Sequence, residues 1–263
     1  MRDWNSWYIT WDKIFSAGMT VLGAAVIVLA GLDWPFGAAS RIVVTLAATM
    51  WSVGGLLVLY RSVSRHTTAD RVTALRLGFS VAAMAFLLAA DGFGVVDRWA
   101  VGSRLSFGLL LAAAVLSDFI DGRVARRVET SRFGEEWDMQ NDAVFSMLLS
   151  IAAVVFVGIG SWAIFIGLAR YLFVLLIPGS HEPVTTSRGY EFFAKTVCAV
   201  EVVALAAVVA DGAGGFVAAA ALAVSLGAVA VSFGWFIHIM RRERLAAAYQ
   251  QPPAHAREQI GLD

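Results

Sequence analysis

Long apolar runs recur along this chain of 263 residues, of which 59% are hydrophobic. Each of these runs has 17 or more residues. A helix of that length is about long enough to cross a hydrocarbon core of ~30 Å. We therefore predict an all-α fold, a polytopic membrane helix bundle with eight spans, at residues roughly 14–32, 41–60, 72–93, 105–121, 141–158, 161–178, 192–210 and 216–240.

The basic residues divide unequally between the two sides of this predicted bundle. Sixteen of the 20 Lys and Arg residues fall on one side, three (Arg41, Arg98 and Arg104) fall on the other, and Arg170 lies within a span. Cytoplasmic loops are the ones rich in Lys and Arg. We therefore expect a multi-pass protein of a bacterial-type inner (plasma) membrane, with both termini in the cytoplasm.

The chain divides into three parts. Residues 1–66 are predicted to form an interfacial segment and a two-span hairpin, in which we see no residues that indicate chemistry. Residues 67–244 contain the other six spans and every candidate site. Residues 245–263 include a Gln-Gln-Pro-Pro stretch and are predicted to form a flexible cytosolic tail.

Four aspartates occur in pairs between the fourth and fifth spans. Asp118 and Asp121 are three residues apart, and Asp138 and Asp142 are four apart. Helical residues at these spacings lie on one face. The connecting turn has glycines near its ends, at Gly122 and Gly134, so we expect one helix to return beside the other and the four carboxylates to meet.

Four converging carboxylates near an apolar layer cannot all stay ionised without partners, because like charges and burial both favour protonation. Hard divalent cations remove this conflict, and oxygen-only ligands suit Mg²⁺, Mn²⁺ or Ca²⁺ rather than Zn²⁺. Four carboxylates suffice for two ions about 3.5–4 Å apart, an arrangement that binds phosphate oxygens during displacement. The pattern therefore predicts a two-metal site at the cytoplasmic side, and such a site would handle phosphate groups.

The same stretch resembles the signature of the CDP-alcohol phosphotransferases, membrane enzymes that transfer a phosphatidyl or similar group from a CDP-activated donor to an alcohol. The family pattern is D-x-x-D-G-x-x-A-R followed, after a spacer, by G-x-x-x-D-x-x-x-D. The spacer between Arg126 and Gly134 has seven residues, one fewer than is usual in the family. Every fixed letter of the pattern is present, at Asp118, Asp121, Gly122, Ala125, Arg126, Gly134, Asp138 and Asp142.

The surrounding chain is also similar to this family, which has six core spans with the signature between the second and third. When the two spans of the N-terminal hairpin are left out, the signature of this chain also lies between the second and third spans. The segment from Thr73 to Arg76 resembles the T-x-x-R segment of the family, although the usual Pro-Asn before it is missing. The resemblance covers about 180 residues.

The resemblance implies roles for individual residues. Asp118, Asp121 and Asp138 would bind two metal ions, Mg²⁺ or Mn²⁺, and Asp142 would complete the metal site and act as general base. The nucleotide of the donor would contact Gly122, Ala125, Arg126, Gly134, Thr73 and Arg76. The implied partners are a CDP-diacylglycerol-like lipid donor, a small polar alcohol acceptor, the lipid bilayer and a second copy of the chain as a homodimer, with no nucleic acid. The implied reaction releases CMP and belongs to phospholipid biosynthesis.

The acceptor alcohol is left open by the sequence. His181, Arg188 and Lys195 lie at or near the cytosolic ends of the sixth and seventh spans. They are candidates for binding a phosphate on the acceptor, but ordinary positive-inside charge explains them equally well. The stretch from Asp138 to Ala143 lacks the Pro and Lys of the family's glycerol-phosphate enzymes, which argues against phosphatidylglycerophosphate synthesis.

Two further expectations concern other charged residues. Arg170 and Glu201 lie within spans at similar depths. An unpaired charge there is costly, so we expect an intramembrane ion pair between them. Glu135 and Glu136 are expected on a solvated face.

Two other classes of function remain open. The first is a prenyltransferase-like enzyme that holds Mg²⁺-diphosphate, but this would need a second acidic motif, and residues 150–263 contain no D-x-x-D or D-x-x-x-D. The second is a transporter or an inactive family member that only binds lipid or nucleotide. The complete set of four aspartates argues against loss of activity.

Overall fold

The computed structural model describes residues 4–31, 38–63, 67–92, 105–114, 116, 132–178, 181, 184–212 and 214–250. Within these ranges the chain is all-helical and has no strands. The helices are α1 (Trp4–Gly31), α2 (Ala38–Arg61), α3 (Thr68–Gly92), α4 (Leu105–Ala114), α5 (Arg132–Val155), a short 3₁₀ helix (Ser161–Ala163), α6 (Ile164–Leu176), α7 (Arg188–Asp211) and α8 (Phe216–Gln250).

Within the described residues a helix lies in each of the eight predicted segments, as expected, but three boundaries were wrong, and residues 117–121 of the fourth predicted span lie outside those residues. α1 begins at Trp4 and α5 begins at Arg132, so both start well before the apolar runs that indicated them. α8 ends at Gln250, so the first residues of the predicted flexible tail are helical, and the remainder lies outside the described residues. Polar and charged residues at these ends lower the hydropathy without interrupting the helix.

Large apolar side chains face outward at intervals of seven residues, which is two helical turns. On α1 these are Ile14, Val21 and Val28, and on α8 they are Val217, Val224 and Val231. Four of the described helices, α1, α2, α7 and α8, are long and apolar enough to cross a membrane, and α3, α4 and α6 contain shorter apolar stretches. The chain is therefore a multi-pass membrane protein whose exposed apolar stripes face lipid.

α5 is the central helix of the bundle, because α2, α3, α6 and α7 all pack against it. Every residue from Ala143 to Val155 is buried, as expected for a helix that is enclosed on all sides. α1 packs against α2 and α6, and α8 packs against α7 and α6. The N-terminal hairpin is thus part of the packed bundle rather than a separate anchor beside it.

A capping box begins α3 and fixes the direction in which this helix leaves the preceding loop. The backbone N–H of Thr67 donates to Asp70 Oδ2 at 2.7 Å, and the N–H of Asp70 donates to Thr67 Oγ1 at 3.2 Å. Reciprocal bonds of this kind satisfy donors that the helix itself leaves free. Thr73 and Arg76 follow in the next two turns of α3, and both are buried.

The end of α8 holds the connection between α6 and α7. The carboxylate of Glu243 accepts from the backbone N–H of Thr185 at 3.0 Å, and Arg244 Nη2 donates to the carbonyl oxygen of Pro178 at 2.7 Å. His181, in the same connection, contacts Asp12 of α1. The start of α1, the end of α8 and the α6–α7 connection therefore meet at one end of the bundle.

Gly167 lets α6 approach the backbone of α5, and replacing it with alanine should destabilise the bundle. A Cβ at this position would lie 2.5 Å from Met147 Cα, so backbone must move. Overpacking of this kind costs about 1–3 kcal/mol, and we expect the thermal midpoint in detergent to fall. The matched control is Gly227→Ala in α8, where a Cβ meets no atom within 4 Å. An equal loss in both variants would contradict close packing at Gly167.

Candidate active site

The first turns of α5 are polar, in contrast to the apolar remainder of this helix, and they contact three different neighbours. Asp138 and Asp142 face α3, Trp137 contacts α2 and α3 and its carbonyl accepts from Asn141 Nδ2, and Glu136 and Gln140 face α1. Each of these pairs is four residues apart, so each occupies one face of the helix. The candidate site is built around this segment.

Arg76 of α3 joins the two described aspartates of the signature. Its Nη2 lies 2.7 Å from Asp138 Oδ1 and 3.2 Å from the Asp138 carbonyl oxygen, and its Nη1 lies 3.1 Å from Asp142 Oδ1. The arginine side chain is 2% exposed, whereas the two carboxylates are 44% and 46% exposed. The guanidinium thus supports the pair from the interior and leaves both carboxylates open on their outer side.

The second face of the segment is fixed by packing. Trp137 is almost fully buried, stacks on Phe133 and lies against Tyr60 of α2. Its indole N–H donates to the backbone carbonyl of Asp70 at 3.3 Å. The capped start of α3 is therefore connected directly to α5, one turn from the aspartates.

The third face contacts α1, which is part of the N-terminal hairpin. Tyr8 donates from its hydroxyl to Glu136 Oε2 at 2.6 Å. Gln140 donates from Nε2 to Tyr8 Oη at 3.1 Å and to Asp12 Oδ1 at 2.8 Å. Glu135 is exposed, as expected, whereas the prediction of a solvated face was wrong for Glu136, which is half-buried and bonded to the tyrosine of α1.

Asp12 is the centre of a buried polar cluster that joins α1, α5 and α6. It is 1% exposed, and its Oδ2 lies 3.2 Å from Arg170 Nη2 and 3.0 Å from His181 Nε2. The predicted pairing of Arg170 with Glu201 was therefore wrong. Glu201 is buried on α7 and bonds to Ser146 of α5 instead.

The remaining predicted residues are distributed as follows. Thr73 is buried on α3, Gly134 lies in the first turn of α5, and Arg188 and Lys195 are exposed on the first turns of α7. His181, which the sequence grouped with these two basic residues, instead contacts Asp12. The predicted metal and nucleotide residues that lie outside the described residues are Asp118, Asp121, Gly122, Ala125 and Arg126.

The described half of the aspartate set has the chemistry that a hard divalent cation needs. Asp138 and Asp142 offer carboxylate oxygens from one helical face, and both are open to solvent on one side. Such oxygens suit Mg²⁺ or Mn²⁺. Within the described ranges no three His, Cys, Asp or Glu side chains form a metal site, and the other two aspartates of the signature lie outside those ranges.

The sequence did not indicate the contribution of α1. Asp12 lies near the start of a long apolar run, among tryptophans that suggested only interfacial anchoring. One signal was present, since an acid at the edge of a membrane span is costly unless it has a partner. Its partners, however, are 128, 158 and 169 residues away along the chain.

Replacing Arg76 with glutamine should weaken the attachment of α3 to α5. Loss of hydrogen bonds to charged groups costs about 1.5–3 kcal/mol, so we expect a lower thermal midpoint in detergent. The matched control is Arg71→Gln on the same helix, because Arg71 is exposed. If Arg76→Gln were as stable as Arg71→Gln, the arginine would not hold the two helices together.

A protein-family model matches the part of the chain that contains the candidate site. The model of the CDP-alcohol phosphatidyltransferases matches residues 66–240, which includes α3 and most of α8 but neither α1 nor α2. No curated protein and no solved structure matches the chain. Since the model covers well over half of the 263 residues, this chain belongs to the CDP-alcohol phosphatidyltransferase family, whose members transfer a phosphatidyl group from a CDP-alcohol.

Proposed function

We propose that this protein transfers a phosphatidyl group from a CDP-activated lipid such as CDP-diacylglycerol to an alcohol, with release of CMP, as a step of phospholipid biosynthesis. One observation carries the proposal: Asp138 and Asp142 converge on the buried Arg76 and remain half open on their outer side. Two solvent-open carboxylates on one face, supported from the interior by the guanidinium of Arg76, suit a site that binds a polar headgroup at the edge of the bundle.

The donor would bind with its acyl chains in the bilayer and its CDP group over the aspartates. Asp118, Asp121, Asp138 and Asp142 would hold two Mg²⁺ or Mn²⁺ ions, which would neutralise charge on the diphosphate and improve CMP as a leaving group. Gly122, Ala125, Arg126 and Gly134 would contact the nucleotide, in keeping with the roles of glycine in close approach and of arginine in binding phosphate. Thr73 and Arg76, which the resemblance also assigns to the nucleotide, are buried on α3, and we propose that Arg76 acts on the aspartates instead.

Asp142 would act as the general base. Its carboxylate would accept the proton of the acceptor hydroxyl, which needs only hydrogen-bond reach between them. The acceptor oxygen would then form a bond to the β-phosphorus, and the bond from that phosphorus to the oxygen of CMP would break. Arg76 would keep Asp138 and Asp142 aligned, because its guanidinium contacts both carboxylates.

We further propose that the site faces the cytoplasm. The segments that carry most of the basic residues lie on one side of the predicted topology, and cytoplasmic loops are the basic ones. The structure brings the start of α1, the end of α8 and the start of α5 to one end of the bundle. A cytoplasmic site would also take its water-soluble acceptor directly from the cytosol.

Purified protein with CDP-diacylglycerol, Mg²⁺ and a panel of alcohols should release CMP with at least one acceptor. EDTA should abolish the release, and added Mg²⁺ or Mn²⁺ should restore it. The readout is CMP by chromatography together with the new lipid by mass spectrometry. No CMP with any acceptor, from folded protein, would contradict the proposal, and metal-dependent CMP binding without turnover would indicate an inactive, lipid-binding member of the family.

Replacing Asp142 with asparagine should remove the general base while keeping the shape of the side chain. Loss of a general base lowers kcat by about 10²–10⁴-fold, and kcat is measured at saturating donor and Mg²⁺ because Asp142 would also hold a metal ion. Asp211→Asn is the matched control, because Asp211 is exposed at the last residue of α7. Near-normal kcat in Asp142→Asn would exclude this residue as the base.

A substitution at Lys195 tests whether the acceptor carries a phosphate. If it does, Lys195→Ala should raise the KM of the acceptor by about tenfold or more, because hydrogen bonds to charged groups contribute 1.5–3 kcal/mol. The KM of the CDP-lipid should change much less. Steady-state kinetics with both substrates varied is the measurement, and equal effects on both KM values would rule out a specific role at the acceptor.

A further inference from the structure

The segment of α5 that carries Asp138 and Asp142 has its rotation fixed from two opposite sides. Arg76 of α3 contacts the aspartates on one side, and α1 contacts Glu136 and Gln140 on the other. An arginine side chain is long and can follow a rotating partner. The two bonds that Gln140 donates to α1 are buried, and the glutamine and aspartate side chains are shorter than that of arginine, so they are better suited to fix the angle of the helix about its own axis.

Gln140 is the residue through which α1 reaches the aspartates. It is fully buried and lies in the turn between Asp138 and Asp142. Its Nε2 donates to Asp12 and to Tyr8, whereas its Oε1 has no hydrogen-bond partner among the described residues. The orientation of this amide therefore depends on the two bonds that it donates to α1.

Asp12 is itself held in place by charge. Its carboxylate accepts from Gln140 at 2.8 Å and also contacts Arg170 and His181 at 3.2 and 3.0 Å. A partly buried cation beside membrane-spanning helices needs a counter-charge, so moving the carboxylate away would leave Arg170 without this ion pair. Asp12 is thus a fixed point to which Gln140 is attached.

We propose that Asp12 is a positioning residue that acts through Gln140 to hold α5 at the angle at which Asp138 and Asp142 face the reacting groups. The inference rests on the proposed function for its kinetic consequences. It assigns the N-terminal hairpin a part in the site, although the family model matches only residues 66–240. Asp12 touches neither the two aspartates nor the substrates in this scheme and acts only through the helix.

The kinetic test compares Asp12→Asn, Gln140→Leu and the double variant with the unchanged protein. Small misplacement of catalytic groups costs up to about a hundredfold, so we expect kcat to fall by about ten- to hundredfold in each single variant. The KM of the donor should change by less than about threefold, as when an interaction is lost only in the transition state. Because both residues act on one contact, the double variant should be no slower than the slower single variant.

Two further variants separate positioning from general stability. Asp12→Glu keeps the carboxylate and should recover part of the kcat that Asp12→Asn loses. Ser16→Ala is the matched control, because Ser16 is buried and its hydroxyl lies 3.4 Å from the same Asp12 Oδ1, but Asp12 rather than Ser16 contacts Gln140. Its kcat should stay within about twofold of the unchanged protein, as for a long and weak hydrogen bond.

A second measurement reports on the angle of α5 and does not depend on catalysis. Met139 lies between Asp138 and Gln140 and is 40% exposed. In a Cys198→Ser background, which removes the exposed native thiol, the labelling rate of Met139→Cys by a water-soluble maleimide reports how this face is presented. We expect that rate to change in the Asp12→Asn and Gln140→Leu backgrounds and to stay unchanged in the Ser16→Ala background.

The two measurements distinguish a failure of the positioning role from a failure of the proposed function. Normal kcat and normal labelling in Gln140→Leu would overturn the inference, even if Asp12→Asn does not fold. Multiplying losses in the double variant would also overturn it, since independent sites add in free energy. If the unchanged protein releases no CMP, the proposed function fails, and the labelling rates alone still decide whether Asp12 and Gln140 set the angle of α5.

Discussion

Asp138 and Asp142 lie on α5, the helix that its neighbours enclose, and charged side chains on an enclosed helix need partners. The rest of the structure depends on how these partners are supplied. Charges cannot be buried without partners, because desolvation outweighs their attraction unless the geometry is good. The start of α5 meets this condition on three faces, through Arg76, through the indole of Trp137 and through the tyrosine and aspartate of α1. The polar end is thereby as firmly placed as the apolar end.

The architecture follows from local properties of the sequence, which is why it could be predicted. Apolar runs of membrane length identified the helices of the described residues, and the fixed letters of the signature identified the family that the chain belongs to. Spacing alone also predicted that Asp138 and Asp142 share one helical face, and the structure confirms it through their common contact with Arg76. The residues of each such pattern lie within a few helical turns of one another in the sequence.

The partners of the buried charges were not predictable in this way. Arg170 was expected to pair with Glu201 on the ground of similar depth, but its partner is Asp12, 158 residues earlier in the chain. Similar depth does not reveal which helices are neighbours, and here α6 packs against α1, whereas Glu201 faces α5. The contribution of the hairpin depends on which helices α1 packs against, and the sequence pattern does not show this.

The length of α8 has a consequence for where the α6–α7 connection lies. Its 35 residues span about 52 Å at 1.5 Å per residue. Even with an ordinary tilt of about 20°, this exceeds a hydrocarbon core of ~30 Å by several helical turns. The excess includes Glu243 and Arg244, which hold Thr185 and Pro178. The helix therefore sets the height at which Pro178 and Thr185 lie above the hydrocarbon.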